Sequence, residues 1–513
     1  MLLATSQVIR DTDHYAVETA GISITELIDR SGRAVAQAVR ENVPQGGRVV
    51  ILVGAGNNGA DGYAAARHLL SAYTVCVVDT SESGPCTDGA KAARDAFVAA
   101  QGCVRALTDC LAALPELFAC DCLVDAIFGT GFHGSVPQRL LPLNAPWQAS
   151  RAYKIAVDIP LGTVADTAEV CEGALSVDAT VALCMYKPAH VCYPAKDYVG
   201  EVTLATVGLD AFAARFAQTS AYRLADKDEA RALLPTRPAN AHKGTFGRTA
   251  LLVGSATYRG AARLALEAAL RCGVGYVHCF TCAELVPDLS MTLPEVIYTP
   301  TAAWDRLTDA DIEKLLHATE GMDSVMIGSG CGVSEGLYRL TVALLSQKGC
   351  TLILDADALN SVSRYGDVTC LKNASRARIL TPHPLELSRL CGHRVTEIAA
   401  HRLPLVATLA NAWDCILLIK GAATVTSNGT TTYINASGSS ALAKAGSGDV
   451  LAGAIASFSA FTDPLTATAL AVYLHGTAAD TLTRDLSAFG VLPSELPRAM
   501  ARAIADLTKE KQQ

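Results

Sequence analysis

From Arg48 onward the chain alternates short apolar runs with longer mixed segments. RVVILVG is a β-branched run closed by glycine, which predicts a strand, and ADGYAAARHLL after it reads as a helix. YTVCVVD (73–79) predicts a second strand, a helical stretch follows around 89–100, and CDCLVDAIFG, YKIAVDIP and DATVALCM repeat the pattern. Ahead of them a helix over about 24–43 stops at Pro44 and Gly46-Gly47. Strands apolar throughout, alternating with helices, predict a parallel sheet covered on both faces. Between Gly208 and Gly244 charged and turn residues gather, which marks a boundary. The alternation then restarts with RTALLVG, ARLALEAALRCG, YVHCFT, SVMIGSG, TLILDADAL, ARILTPHP and CILLIKG, a second α/β domain of about 270 residues. No short repeat period is visible, which argues against a solenoid.

Composition narrows this picture. A chain of 513 residues has a prior of two to four domains, and half of it is hydrophobic while 18% is charged. A mean hydropathy of +0.27 excludes a disordered chain and raises the question of membranes. The most apolar stretch, 450–461, continues at 465–473, but Thr462-Asp463-Pro464 breaks it and neither half reaches the roughly 20 residues of a span. Two buried helices and no membrane association are expected. The N-terminus meets acidic residues too early for a secretory signal. The 17 cysteines are scattered through apolar runs, as reduced thiols of a cytoplasmic protein would be. Cys279 and Cys282 form a lone C-x-x-C with no second pair, so they read as strand residues rather than a metal site. Lys and Arg number 42 against 50 Asp and Glu, so no basic excess exists to bind nucleic acid. So little polar surface predicts a homo-oligomer.

The candidate chemistry sits where apolar strands end. Gly54-Ala55-Gly56-Asn57-Asn58-Gly59 is a formal G-x-G-x-x-G between strand and helix, and Asp79 follows about 20 residues later, where a Rossmann fold would hold a ribose. Three details disturb a plain dinucleotide-binding reading. The loop follows a long helix, Asn57 and Asn58 fill it with amides, and Asp61 puts a carboxylate in the first helical turn, where pyrophosphate would sit. Further strand ends carry Asp125 with Gly129-Thr130-Gly131-Phe132, Asp158-Ile159-Pro160-Leu161-Gly162, and Tyr186-Lys187-Pro188. In a parallel sheet these ends share one crevice, so Asn58, Asp125, Asp158 and Lys187 are expected to converge. Their oxygens suit a hard cation, and a Lys beside an Asp suits acid–base catalysis.

In the second half, Ala445-Gly446-Ser447-Gly448-Asp449 opens a strongly apolar helix. Small residues let backbone N–H groups face an anion there. Asp449 is badly placed as a phosphate ligand and well placed as a base that takes a hydroxyl proton while those amides hold the transferring phosphoryl group. Lys420-Gly421-Ala422-Ala423-Thr424, Thr381-Pro382-His383-Pro384, Asp355-Ala356-Asp357 and Gly328-Ser329-Gly330 end other strands.

With these residues in view the chain resembles a known family. VGAGNNGADG, VDAIFGTGF, VDIPLG and MYKP look like the epimerase domain of the NAD(P)H-hydrate repair enzymes, over residues 1–215. HKGTFGRTALLVGSATYRGAA, IGSGCG, LDADALN, LTPHPLEL, LIKGAAT and AGSGD resemble the dehydratase domain of the same family, over residues 222–510. The fold implied is α/β in two domains, an N-terminal Rossmann-like parallel sheet and a C-terminal ribokinase-like domain. The resemblance implies that Asn57, Asn58, Gly59, Ala60 and Asp61 hold the epimerase substrate and that Gly129, Thr130, Gly131, Phe132, His133, Gly134 and Ser135 line it. Asp158 would sit at the reacting ring, with Lys187 as its acid–base neighbour. A K+ ion would be held by Asn58, Asp125 and the main chain at Leu161. For the dehydratase it implies substrate contacts at Ala262, Gly330, His383 and Asp449. It places ADP or ATP, with Mg2+, at Lys420, Gly421, Ala422, Ala423 and Thr424 and at Ser439, Ser440, Ala441, Leu442, Ala443, Lys444, Ala445, Gly446, Ser447 and Gly448. The chain departs from the family at Ala60 and Ala445, where glycine is usual, and at Leu161, where serine is usual; the first and last predict a weakened epimerase or K+ site.

The function implied is repair of hydrated NADH and NADPH. One domain interconverts the R and S epimers, and the other uses nucleotide to dehydrate the S form. A small-alcohol kinase fused to an unrelated domain, a nicotinamide-dependent oxidoreductase, and a non-catalytic N-terminal half are the rival readings.

Overall fold

The computed structural model describes residues 1–372 and 374–511. The chain divides into two compact units, one running from Leu2 to Tyr222 and the other from Arg223 onward.

The N-terminal unit opens with two helices, the first without a counterpart in the sequence pattern and the second where a helix over about 24–43 is expected. These are α1 (Ser6–Glu18), capped by the Thr5 hydroxyl, and α2 (Ile24–Asn42), capped by Ser23. Next come β1 (Arg48–Val53), α3 (Asn57–Leu69), β2 (Thr74–Asp79), α4 (Asp88–Ala99), β3 (Cys103–Ala106), β4 (Cys122–Ala126), β5 (Tyr153–Val157), β6 (Ala179–Leu183) and β7 (Glu201–Ala205). The seven strands are parallel in the order β3-β2-β1-β4-β5-β6-β7. β1 is apolar throughout because both of its faces are covered. Val49, Ile51 and Val53 pack with Val35, Val39 and Tyr63 on one side, and Val50 and Leu52 with Leu123, Leu140 and Trp147 on the other. Register pairs Val53 with Asp79 and with Ala126, so the carboxyl ends of the central strands lie level and their loops share one edge. β3 and β7 escaped the pattern reading because they are edge strands, short and largely unburied, so their side chains carry little apolar signal.

The C-terminal unit holds a ten-stranded sheet. Its strands are β8 (Tyr222–Ala225), β9 (Arg248–Leu252), β10 (Tyr276–Cys282), β11 (Ile297–Thr301), β12 (Ser324–Ile327), β13 (Gly349–Leu354), β14 (Arg376–Leu380), β15 (Ile416–Ile419), β16 (Val425–Ser427) and β17 (Thr432–Asn435). The order is β11-β10-β9-β12-β13-β14-β15-β16-β17-β8. β9 to β15 pair in parallel, whereas β16 and β17 form an antiparallel hairpin beside β15. That hairpin departs from the all-parallel expectation; it is short, threonine-rich and turned at Asn428-Gly429, so it leaves no long apolar run.

Three helices position the chemistry in this unit: α5 (Arg259–Arg271), α6 (Ser447–Ser459) and α7 (Pro464–Gly490). α6 is apolar on all sides because it is buried on all sides. It lies close to α5: a methyl group on Gly453 would meet the Ala265 carbonyl oxygen at 2.1 Å. Asp463 caps α7 and Pro464 starts it, which separates the two apolar runs into two helices. Among the described residues no helix is long and apolar enough to cross a membrane. Among the described residues the cysteines form no disulfide.

Candidate active sites

In the N-terminal unit the level strand ends open onto a cavity of about 720 Å³, within the range of small-molecule sites. Asn57, Asn58 and Asp61 reach it from α3, Gly129, Thr130, Gly131 and Phe132 from the loop after β4, Asp158 from the end of β5, and Lys187 from the loop after β6. α3 starts after Gly56 with no side-chain cap, so its first N–H groups are left for a ligand. Gly59 must be glycine, since a methyl group there would meet the Gly54 carbonyl oxygen at 1.9 Å.

Asp158 and Lys187 form the centre of this cavity. Asp158 holds a left-handed backbone (φ +64°), and its Oδ1 accepts from the Leu183 N–H at 3.0 Å and from Lys187 Nζ. Lys187 is fully buried and donates also to the Leu183 carbonyl at 2.6 Å. Behind them His190 accepts the Lys187 N–H at Nδ1 (3.1 Å), so its proton lies on Nε2, which donates to the Asp158 carbonyl at 2.7 Å. Burial and the nearby Lys187 push His190 down to about 4, which keeps it neutral. Asp61 is driven the other way. Burial, then Asp158 and Asp13, raise its carboxyl well above the usual range, and Ser31 only partly offsets this. A carboxyl pushed toward its neutral form repels an anion less, which eases the clash with pyrophosphate that its position in the sequence suggests.

Other expected residues are placed differently. His133, Gly134 and Ser135 are exposed and are not among the residues lining the cavity. Ala60 turns its methyl into a small apolar cluster with Ile28, Ala64 and Ala90. Ala60→Gly is therefore expected to change epimerisation by less than threefold while costing about 1 kcal/mol of helix stability, read as a shift in denaturant midpoint. Asp125 is fully buried below the cavity, accepting the Ile127 N–H at Oδ1 (3.1 Å) and the Leu161 N–H at Oδ2 (2.6 Å). Burial raises its carboxyl to about 6. The Leu161 main chain thus meets Asp125 with its N–H, and its carbonyl accepts from Leu175 instead of facing an ion. Asn58 donates from Nδ2 to the Phe128 carbonyl at 2.9 Å and has its Oδ1 beside Gly129. A buried carboxyl with only amide donors and a free-facing amide oxygen suit a hard cation; the turned Leu161 carbonyl does not add to them. Among the described residues no cluster of three or more His, Cys, Asp or Glu side chains is suited to a metal. Asp79 is engaged locally, its Oδ1 accepting the Ser81 N–H at 2.9 Å.

In the C-terminal unit the strand ends again converge. Asp355, after β13, is buried; its Oδ2 accepts from Ser329 at 2.7 Å, and its Oδ1 from Thr381 at 2.6 Å and from Lys420 Nζ. Ser329, Thr381 and Lys420 follow β12, β14 and β15. Burial pulls Lys420 down, but Asp355, Glu386 and Asp449 together hold it above its ordinary value. The Lys420 ammonium lies 3.5 Å from where a methyl group on Gly448 would stand, so a cation backs the uncapped N-terminus of α6. Gly446 takes φ +103° there, which favours glycine. Asp449, in the first turn of α6, is pushed up to about 6, by burial first and then by Asp355, while Ser329 and Lys420 pull it back.

The remaining predicted nucleotide and substrate residues vary in role. Gly421 and Ala423 have positive φ, Ala422 accepts from Arg402 at 2.8 Å, and Thr424 donates to the Gly421 carbonyl at 2.9 Å, a tight turn after β15. Ser439 caps the short turn Ser440–Leu442, and Ala443 and Ala445 are exposed beside it. Lys444 spends its ammonium on the carbonyls of Phe489 and Val491, pinning the loop rather than reaching outward. Ser447 is buried. Gly330, at φ +67°, is packed against Ala261 and Tyr258, and Ala262 is fully buried in α5. His383 caps the helix Pro384–Cys391, its Nδ1 accepting the Leu385 N–H at 3.1 Å and the Glu386 N–H at 3.2 Å.

Family models match both parts of the chain: "YjeF-related protein N-terminus" over residues 24–189 and "NAD(P)H-hydrate dehydratase" over residues 249–502. A bifunctional NAD(P)H-hydrate repair enzyme of Thermofilum pendens is 30% identical across 99% of this chain and 97% of its own length. The chain belongs to the bifunctional NAD(P)H-hydrate repair enzymes. Among solved structures of this type, an ADP/ATP-dependent NAD(P)H-hydrate dehydratase from Bacillus subtilis, co-crystallised with ATP and Mg2+, is 32% identical, with a TM-score of 0.50 over 55% of this chain and 98% of its own. A ribokinase-like superfamily protein from Enterococcus faecalis is 25% identical, with a TM-score of 0.50 over 56% of this chain and 97% of its own. The repair-enzyme fold here is therefore α/β twice over, with a ribokinase-like C-terminal unit.

Proposed function

We infer that residues 1–215 interconvert the R and S epimers of hydrated NADH and NADPH and that residues 222–510 dehydrate the S epimer at the expense of ADP or ATP. The observation that carries this reading is Asp449, a half-buried carboxyl in the first turn of the glycine-led helix α6, with Lys420 and Asp355 across from it. Hydroxide is a poor leaving group, so water is not lost directly at neutral pH. Asp449 takes the proton of the substrate hydroxyl, the oxygen attacks the terminal phosphoryl group, and the nucleotide leaves one phosphate shorter. The amides at Gly446–Gly448 and the Lys420 ammonium hold the phosphoryl oxygens in the transition state. The carbon–oxygen bond then breaks with its electron pair going to phosphate, the neighbouring carbon loses a proton, and the ring double bond returns. Mg2+ accompanies the nucleotide and neutralises phosphate charge. Nothing in this scheme needs a positive surface; local amides and one lysine suffice in a chain of net charge −8.

In the N-terminal unit, Asn57, Asn58 and the amides opening α3 bind the dinucleotide, and Asp158 with Lys187 moves protons at the hydrated ring. A K+ ion held by Asn58 and Asp125 belongs to the same reading; it would offset the buried Asp125 charge. A homo-oligomer belongs to it as well, supported by Met291 and Phe489, which are 85% and 94% exposed. The full chain supplied with S-epimer and ATP is expected to release inorganic phosphate in one-to-one ratio with NADH recovered. A stable phosphorylated product in place of free phosphate would favour the small-alcohol kinase and overturn this reading.

A further inference from the structure

α1 presents Arg10, Asp13, His14 and Val17 to the epimerase cavity, positions spaced i, i+3, i+4 and i+7 along one helix face. The opposite stripe, Val8, Thr12 and Ala16, is buried against the unit. Asp13 carries no motif and no expected role, yet it stands in the wall of the cavity near the Asp158–Lys187 pair. Burial raises its carboxyl to about 6, with Lys187 lowering it and Asp158 raising it further. It is therefore protonated more readily than an ordinary carboxyl, just where the pair cannot easily give a proton up: two of the bonds from Lys187 are already made, to Asp158 and to the Leu183 carbonyl.

We propose that Asp13 is a second catalytic residue of the epimerase, the acid on one face of the hydrated ring, with Asp158 the base on the other. Water adds to the ring at the carbon bonded to nitrogen, since protonating the enamine leaves the cation there. The hydroxyl leaves that carbon when Asp13 protonates it: the carbon–oxygen bond breaks with its electron pair on oxygen, water departs, and the nitrogen lone pair forms a carbon–nitrogen double bond. Water then adds from the other face, the double-bond pair returns to nitrogen, and the excess proton passes to Asp158. The Leu183 N–H and Lys187 Nζ both bond Asp158 through Oδ1, and Oδ2 is the oxygen that takes that proton. One water leaves and one adds, so the balance closes without any other reactant. In the reverse direction the two residues exchange roles. Once Asp13 has given up its proton, it and Asp158 both line the cavity beside the ring cation, and their carboxylates favour the developing positive charge against Lys187 and Arg10.

The groups facing Asp13 across the cavity are Asp61 from α3, Asp158 after β5, and Cys184 and Lys187 after β6, with Cys86 ahead of α4. On its own helix it neighbours Arg10, His14 and Glu18. Burial sets the Asp13 carboxyl near 6, so the R-to-S rate should fall as pH rises through about 6.

The test uses the full chain and purified R-epimer of hydrated NADH without nucleotide, with the epimers separated by chromatography and the spontaneous rate subtracted. Asp13→Asn is expected to lower kcat by about 10²-fold or more and to lose the limb near pH 6. Asp13→Glu keeps an acid and is expected to retain the limb with kcat within about tenfold of wild type. An Asp13→Asn enzyme within about threefold of wild type overturns the proposal, and so does one that is slow but keeps the limb. If Asp13→Asn does not fold, Asp13→Glu decides: a limb that stays supports the assignment and a limb that vanishes contradicts it.

Discussion

Asp449→Asn is expected to lower dehydration of the S epimer by between about 10²- and 10⁴-fold and to leave nucleotide binding within about threefold of wild type. The amide is isosteric with the carboxyl, so α6, the Gly446–Gly448 amides and the Lys420–Asp355 pair stay in place. What is lost is a base. The wild-type carboxyl, raised to about 6, is ionised above that pH and protonated below it. Only the ionised form accepts the hydroxyl proton, so wild-type kcat/KM for dehydration falls as pH drops through about 6. The Asn variant should lack that limb. Steady-state rates across pH 5–8 and calorimetric titration with ATP check the two halves of the expectation; a variant that keeps near-normal turnover would remove Asp449 from the chemistry.

The second large effect belongs to the N-terminal unit. Lys187→Met leaves the Asp158 carboxylate buried with no counter-charge, and breaking such a pair from one side costs about 3–5 kcal/mol. Epimerisation is expected to fall at least about 10²-fold. Dehydration of pure S epimer should continue, because Asp449 and Lys420 are untouched. Adding Asp158→Asn to Lys187→Met removes the stranded charge, and asparagine tolerates the left-handed backbone at 158. The double variant should therefore recover stability in a denaturant titration without recovering epimerisation. Recovery of epimerisation along with stability would reduce the pair to a structural role.

Much of this was legible in the sequence because the strands that carry the chemistry are central ones. β1, β4, β9, β12 and β13 are central strands that read as apolar runs, and Asn58, Asp125, Ser329 and Asp355 stand at or just beyond carboxyl ends among them. What escaped had no local signature. Asp13 and His190 reach the site only through tertiary placement, one on a helix ahead of the sheet and the other behind the Asp158–Lys187 pair. The direction of a main-chain group is not written in residue types either, so the Leu161 N–H facing Asp125 had no precursor in the pattern. Ala60 is the instructive case. Asn57, Asn58 and Asp61 share the cavity face of α3, whereas Ala60 and Ala64, four apart, share the face toward Ile28. Helical spacing alone separates the two faces, and it removes the reason to expect the extra methyl to weaken the site.

A single time course tests the whole account most directly. The full chain is given an equal mixture of R and S hydrated NADH with ATP and Mg2+, and absorbance of NADH is followed. The account predicts recovery of both epimers at a rate well above spontaneous epimerisation. Recovery that halts near half, with the remainder returning only at the spontaneous rate, would contradict an active epimerase; no recovery of either epimer would contradict the dehydratase.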